Sequence, residues 1–92
     1  MVEVLDESAV AAGLAGLAWE RDGDEIVKTV GRKDFAEAMV LVNQVAELAE
    51  AADHHPDIAI SWNKVTLRLS THSAGGITAK DLELAERIDR LG

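Results

Sequence analysis

Cysteine is absent from this 92-residue sequence, which also has one proline, one phenylalanine and no tyrosine. A chain without cysteine forms no disulfide, no thiolate metal site and no cysteine nucleophile, which suits the cytoplasm. No apolar run approaches the roughly 20 residues of a membrane-spanning helix. The N-terminus lacks the basic start of a signal peptide. We therefore expect a cytoplasmic protein with no membrane partner.

Basic residues are also scarce. Nine lysines and arginines stand against 17 acidic residues, which gives a formal net charge of −8. The basic residues are scattered, so we expect no nucleic-acid partner. Apolar residues make up 48% of the chain, enough for a packed core. We expect a single domain over residues 1–92 that buries part of its apolar surface in a symmetric oligomer.

The first third of the chain predicts a helix followed by a β-hairpin. Asp6 is a suitable N-cap for the helix. The segment Ala18–Arg21 is predicted to be a short strand, and Asp22-Gly23-Asp24 supplies the positive φ angles that a tight turn needs. Residues 25–30 are rich in β-branched side chains, which predicts the return strand.

The longest predicted helix covers Lys33–Ala52. Its main apolar stripe consists of Phe35, Met39, Val42, Ala46 and Ala49, and a second stripe of Ala38, Leu41, Val45 and Leu48 widens it. A stripe this wide predicts that both the sheet and another subunit cover the helix. Pro56 cannot continue a helix and keeps His55 out of the α region, so the helix should end near Asp53.

A second hairpin and a third helix complete the pattern. Residues 58–62 and 65–69 alternate between apolar and polar, and Asn63-Lys64 is predicted to be the turn between them. Thr78 and Asp81 have the spacing of a capping box, which predicts that a final helix begins there. The order α-β-β-α-β-β-α predicts an α+β fold, with a four-stranded antiparallel sheet and helices packed on one face.

All three histidines lie in the second half of this pattern. His54 and His55 follow the long helix, and His72 follows the second hairpin with the parity of its polar face. Because that hairpin runs out and back, we expect His72 to return to the level of His55. Histidine exchanges protons near neutral pH, so the cluster indicates an acid–base site. Three nearby carboxylates are available to orient the imidazoles, those of Glu50, Asp53 and Asp81.

Other interpretations of the same residues stay open. Three imidazoles and a carboxylate can bind catalytic zinc, although adjacent histidines usually diverge and no His-x-His pair is present. The spacing by itself favours Asp81 as only a cap of the last helix, and Glu50 can be a solvated helix residue. Trp19 and Trp62 can stack on a flat ligand, but tryptophan more often packs in a core.

Together these residues resemble the pterin-4a-carbinolamine dehydratase family. Its pattern has an acidic or polar residue, three others and His-His-Pro, followed by an aromatic, Thr-His, Gly-Leu/Ile-Thr and Asp. The matching residues here are Glu50, His54-His55-Pro56, Trp62, Thr71-His72, Gly76-Ile77-Thr78 and Asp81. The resemblance extends upstream through Lys33-Asp34-Phe35, Trp19 and Leu17, and covers roughly Leu5–Leu91.

This resemblance implies the dehydration of a 4a-hydroxytetrahydropterin to a quinonoid dihydropterin, a step that recycles the cofactor of aromatic amino acid hydroxylases. It implies that His54 and His72 are the acid–base pair, and that His55 binds the substrate and shares the proton work. Asp81, Glu50 and Asp53 are expected to support the site. The two tryptophans would line the pterin pocket or its wall. The resemblance also implies a homodimer or homotetramer that needs no metal or bound cofactor. The alternative is a non-catalytic dimerisation or assembly cofactor of the same fold.

Overall fold

A computed structural model describes residues 3–91. Met1, Val2 and Gly92 of the predicted domain lie outside this range. The predicted element order is confirmed, with bounds α1 Glu7–Leu14, β1 Glu20–Asp22, β2 Glu25–Gly31, α2 Phe35–Ala52, β3 Asp57–Ser61, β4 Lys64–Leu69 and α3 Ala79–Asp89. The four strands form one antiparallel sheet in the order β1-β2-β4-β3. None of the described helices has the length and apolar composition needed to cross a bilayer.

Short polar side chains fix where each helix begins. Asp6 accepts a hydrogen bond from the Ala9 N–H at 2.8 Å, and Asp34 accepts one from the Glu37 N–H at 2.9 Å. Each bond satisfies a backbone donor that has no partner within its own helix. Both hydrogen bonds of the predicted capping box are present at the start of α3. The cap of α2 lies at Asp34, so α2 begins two residues later than Lys33.

The face of α2 that packs on the sheet differs from the predicted main stripe. The buried residues of α2 are Ala38, Leu41, Val45 and Ala49. Phe35, at the head of the predicted stripe, is 51% exposed, and Val40 is 50% exposed. The buried face thus combines three residues of the second stripe with Ala49, the last residue of the main stripe. A wide apolar face can rotate against its neighbours and stay amphipathic, and here the rotation leaves Phe35 on the flank of α2.

The turn between β3 and β4 lies one residue earlier than predicted. Ser61 pairs with Lys64, so Trp62 and Asn63 form the turn. Trp62 adopts a left-handed conformation with φ of 50°, which is unfavourable for a bulky side chain. Asn63 instead extends the β2–β4 ladder, because its carbonyl accepts from the Arg32 N–H at 2.8 Å and its Nδ2 donates to the Arg32 carbonyl at 2.9 Å.

The strand β3 is an edge strand. It pairs only with β4 in the described sheet, and all five of its residues are exposed. Ile58 and Ile60 lie opposite the buried Leu67 and Val65, and therefore face the helix side of the sheet. They are nevertheless 36% and 39% exposed, because the helices do not reach this edge. The core thus ends at β4 and leaves an apolar margin beside it.

Candidate active site

The exit of α2 places two histidines side by side. Asp53 ends the helix in the left-handed conformation with φ of 50°. The His54 N–H then donates to the Ala49 carbonyl at 3.1 Å, which closes the last turn. Pro56 directs the chain into β3. The sharp reversal at Asp53 turns His54 towards α3, while His55 faces solvent.

His54 is held by a buried carboxylate. Its Nε2 lies 2.5 Å from Oδ1 of Asp81, on the first turn of α3. The Asp81 side chain is fully buried and the His54 side chain is 12% exposed. A carboxylate paired with one imidazole nitrogen fixes the ring orientation and directs the other nitrogen elsewhere. Asp81 therefore caps α3 and also orients His54.

One hydroxyl group and one backbone N–H complete the environment of Asp81. Its Oδ2 accepts from the Thr71 hydroxyl at 2.9 Å and from the Thr78 N–H at 2.9 Å. The Thr71 and Thr78 hydroxyl oxygens are 2.7 Å apart. Both threonines are buried, and no buried side-chain nitrogen or oxygen within residues 3–91 lacks a partner. These hydrogen bonds offset the cost of burying the carboxylate at the N-terminus of α3.

His55 forms a second and more exposed pair. Its Nε2 contacts Oε2 of Glu50, one turn back on α2. The two side chains are 57% and 76% exposed. Solvent screens this pair, so it contributes little to folding stability. It holds the His55 ring at the rim of the site.

His72 comes to the same place from the sheet. It follows Thr71, whose N–H donates to the Gly76 carbonyl at 2.9 Å and closes the loop before α3. All three histidines line one open cleft of about 290 Å³, together with Asp53, Ser70, Thr71, Ser73 and Lys80. That volume is close to the lower end of the roughly 300–1,000 Å³ of small-molecule sites. The arrangement can supply proton donors and acceptors to a small ligand.

Other open spaces lie beside this cleft or away from it. A groove of about 410 Å³ shares His72 with the cleft, and one of about 260 Å³ shares His54. A larger groove of about 610 Å³ is lined by residues of α1, the segment that follows it and α3, and none of these residues is a histidine. Within residues 3–91, no three His, Asp or Glu side chains converge closely enough to hold a metal ion.

The structure does not bring the two tryptophans to the cleft of this chain. Trp62 lies at the opposite end of the β3–β4 hairpin and is 67% exposed. Trp19 is 4% exposed within the core. Its Nε1 donates to Oδ1 of Asp89 at 2.8 Å. Trp19 thus follows the core-packing interpretation.

Sequence reasoning missed several residues that the fold brings to the site. Ser70, Ser73 and Lys80 line the cleft, and Thr78 bonds directly to Asp81. The capping-box spacing marked Thr78 as a cap only. The contact between the Thr78 and Thr71 hydroxyls joins residues on opposite sides of a loop, and a periodicity of neighbouring residues cannot predict such a contact.

Comparison with known proteins assigns the chain to a family. The profile of the pterin 4 alpha carbinolamine dehydratase family matches residues 3–91. The chain belongs to this family. A relative from Nocardia farcinica, assigned as a pterin-4-alpha-carbinolamine dehydratase, is 52% identical over 97% of this chain and 95% of its own. A relative from Thermomicrobium roseum with the same assignment is also 52% identical, over 95% of each chain. The resemblance seen in the sequence is thereby confirmed, and the activity for which the family is named is that of a hydro-lyase.

Solved structures agree with this assignment. The crystal structure of a transcriptional coactivator/pterin dehydratase from Brucella melitensis superposes with a TM-score of 0.92. It is 32% identical and covers 97% of this chain and 98% of its own. A pterin dehydratase-like protein, identified as a RuBisCO assembly factor in the alpha-carboxysome, superposes with a TM-score of 0.65 at 20% identity. The match covers 82% of this chain and 87% of that one. This second likeness shows a shared fold.

Proposed function

We propose that this protein dehydrates a 4a-hydroxytetrahydropterin to the quinonoid dihydropterin. The observation that carries the proposal is the convergence of His54, His55 and His72 on one cleft, with His54 paired to the buried Asp81. In the reaction, N5 of the pterin loses a proton, the C4a–O bond breaks, and a C4a=N5 double bond forms. The hydroxyl leaves as water after it gains a proton. The net change is the loss of one water molecule.

His54 is the proposed base. The anionic Asp81 holds a hydrogen on Nε2, so Nδ1 presents a lone pair that accepts the N5 proton. The imidazolium formed in this step is stabilised by the carboxylate beside it, as in other carboxylate–histidine pairs. The fixed ring supports this role because a base must be positioned before its basicity is useful.

His72 is the proposed acid. It lines the cleft and is exposed, so its imidazole can contact both a bound ligand and water. It would protonate the departing hydroxyl and recover its proton from solvent. His55, paired with Glu50 at the rim, would contact the pterin and take part in the proton transfers. Asp53 and Lys80 would flank the bound pterin. No step in this scheme requires a metal or a bound cofactor. We also propose that the protein acts in the cytoplasm.

We further propose that the functional protein is a homo-oligomer built through β3. The free edge offers unpaired backbone groups, and Ile58 and Ile60 leave apolar surface uncovered beside it. A second copy related by a two-fold axis is self-complementary to this edge. Antiparallel pairing of the two β3 strands would join the sheets and cover that margin. The exposed flank of α2, with Phe35 and Val40, offers a second surface for a tetramer.

The activity is tested by following the decay of a 4a-hydroxytetrahydropterin by its ultraviolet absorbance. The purified protein should accelerate the decay above its spontaneous rate, before and after dialysis against EDTA. No acceleration at any protein concentration would refute the enzyme proposal and favour the non-catalytic alternative. Loss of activity on EDTA treatment, restored by zinc, would refute the metal-free scheme.

A further inference from the structure

The hydroxyl of Thr78 is connected to His54 through an unbroken chain of hydrogen bonds that is buried as far as Asp81. Thr78 lies beside Thr71, Thr71 donates to Asp81, and Asp81 pairs with His54. The exposed fraction is 0% for Thr78, 4% for Thr71 and 0% for Asp81. Water therefore does not substitute readily for any member of the chain.

The direction of each hydrogen bond in this chain follows from the number of available protons. The Thr71 hydroxyl has one hydrogen and donates it to Oδ2 of Asp81. Thr71 must then accept from Thr78 across the 2.7 Å contact. The Thr78 hydroxyl hydrogen is available for this bond, because in its other contact, with the Lys80 N–H at 3.3 Å, the Thr78 oxygen only accepts. One arrangement satisfies every group, and in it each donor points towards Asp81.

We infer that Thr78 is a positioning residue for His54, in addition to being the N-cap of α3. Its N–H holds Oδ2 of Asp81, and its hydroxyl directs the Thr71 hydroxyl onto the same oxygen. These two donors occupy Oδ2 and leave Oδ1 as the oxygen that faces Nε2 of His54. The contact between Asp81 Oδ1 and His54 Nε2 thus determines which imidazole nitrogen carries the hydrogen. The link to turnover rests on the proposed function, whereas the effect on the His54 ring does not.

A purely structural cap would behave differently. The Asp34 side chain caps α2 in the same way, through one bond to the Glu37 N–H. It lies at the opposite end of α2 from His54, and Asp34→Ala removes a cap without touching the Asp81 network. Asp34→Ala is therefore the matched control for the loss of a cap.

The test replaces Thr78 with valine, which keeps the β-branched shape but removes the hydroxyl, and with serine, which keeps the hydroxyl. Long-range ¹H–¹⁵N spectra of the imidazole rings report the tautomer of His54. We expect one Nε2–H tautomer in the wild type, Thr78→Ser and Asp34→Ala, and a mixture of tautomers in Thr78→Val. Thr78→Ala replaces Thr78→Val if the valine variant does not fold.

In the dehydration assay, Thr78→Val should lower kcat by about 10-fold with KM within about 2-fold, since part of the roughly 10²–10⁴-fold acid–base term depends on orientation. Thr78→Ser should restore kcat, and Asp34→Ala should retain it. A single Nε2–H tautomer in Thr78→Val, or equal losses of kcat in Thr78→Val and Asp34→Ala, would overturn the inference. If the wild type proves inactive, the ring spectra still decide whether Thr78 positions His54.

Discussion

Asp89 joins three segments that are distant in the sequence, and its replacement by asparagine is a sharp test of the packing described above. Its Oδ1 accepts from Nζ of Lys28 at 2.6 Å and from Nε1 of Trp19 at 2.8 Å. Its Oδ2 accepts from the Ala18 N–H at 3.0 Å. The side chains of Lys28 and Asp89 are only 17% and 18% exposed. This one carboxylate thus fastens the end of α3 to β2 and to the segment entering β1.

The expected cost of Asp89→Asn follows from those three donors. Asparagine has only one carbonyl oxygen to accept these hydrogen bonds. Its NH₂ group replaces the second carboxylate oxygen and would face a hydrogen-bond donor of the protein. Hydrogen bonds to charged groups contribute about 1.5–3 kcal/mol, and an unpaired, partly buried Lys28 ammonium adds to the loss. We expect Asp89→Asn to lower the free energy of unfolding by about 2–4 kcal/mol at neutral pH, a large part of the roughly 5–15 kcal/mol of a small domain.

The same contacts make the effect depend on pH. Burial alone would raise the pKa of Asp89, but hydrogen bonds from Lys28, Ala18 and Trp19 and the charge of Lys28 hold it below its ordinary value of 3.8. A carboxylate whose pKa is lowered on folding contributes stability that is fully present above the unfolded pKa. That contribution is lost as the pH falls through the folded pKa. The difference between wild type and Asp89→Asn should therefore shrink below about pH 4.

Urea unfolding followed by far-UV circular dichroism at pH 7 and at about pH 3 measures both quantities. The control is Glu47→Gln, an exposed carboxylate on α2 whose side chain makes no hydrogen bond within residues 3–91. It should differ little from wild type at either pH. An equal destabilisation by Asp89→Asn at both pH values would refute the linkage argument. A destabilisation below about 0.5 kcal/mol at pH 7 would refute the packing argument.

Three further predictions concern the site and the edge. His54→Ala and His72→Ala should each lower kcat/KM for dehydration by at least ~100-fold, through loss of acid–base catalysis; rates like wild type in both would refute the assigned roles. Ile60→Lys places a charge on the edge strand β3 and should therefore reduce the mass of the oligomer, measured by size-exclusion chromatography with light scattering. The control Thr29→Lys lies on the interior strand β2 and should leave that mass unchanged. A 9.8 kDa wild type, or an unchanged mass in Ile60→Lys, would contradict the β3 interface. Trp62→Asn should raise the free energy of unfolding by about 1 kcal/mol in urea titrations, since asparagine tolerates the left-handed conformation; a lower value would mean that the Trp62 side chain makes contacts that outweigh its strain.

The sequence by itself was enough to predict the helices and strands and the approach of the three histidines, because the signals involved are local. Caps at Asp6 and Thr78, the Asp-Gly turn and the stop at Pro56 each act within a few residues, and the structure has helix ends and a turn at these places. The alternation along the second hairpin likewise predicted that His72 points away from the core. These features are readable because propensity, capping and periodicity depend on near neighbours.

Only the tertiary structure decided the register of that hairpin, the face that α2 buries and the partners of the buried carboxylates. Shifting the turn from Trp62-Asn63 to Asn63-Lys64 preserves the alternation of both strands, so the hydrophobic pattern cannot distinguish them. The observed turn lets Asn63 pair with Arg32, which directly follows β2, a strand that is adjacent to β4 only in space. In the same way, Asp81 meets Thr71 across a loop, and Asp89 meets Trp19 at a separation of 70 residues. Such contacts depend on how the elements pack, and packing is a property of the whole chain.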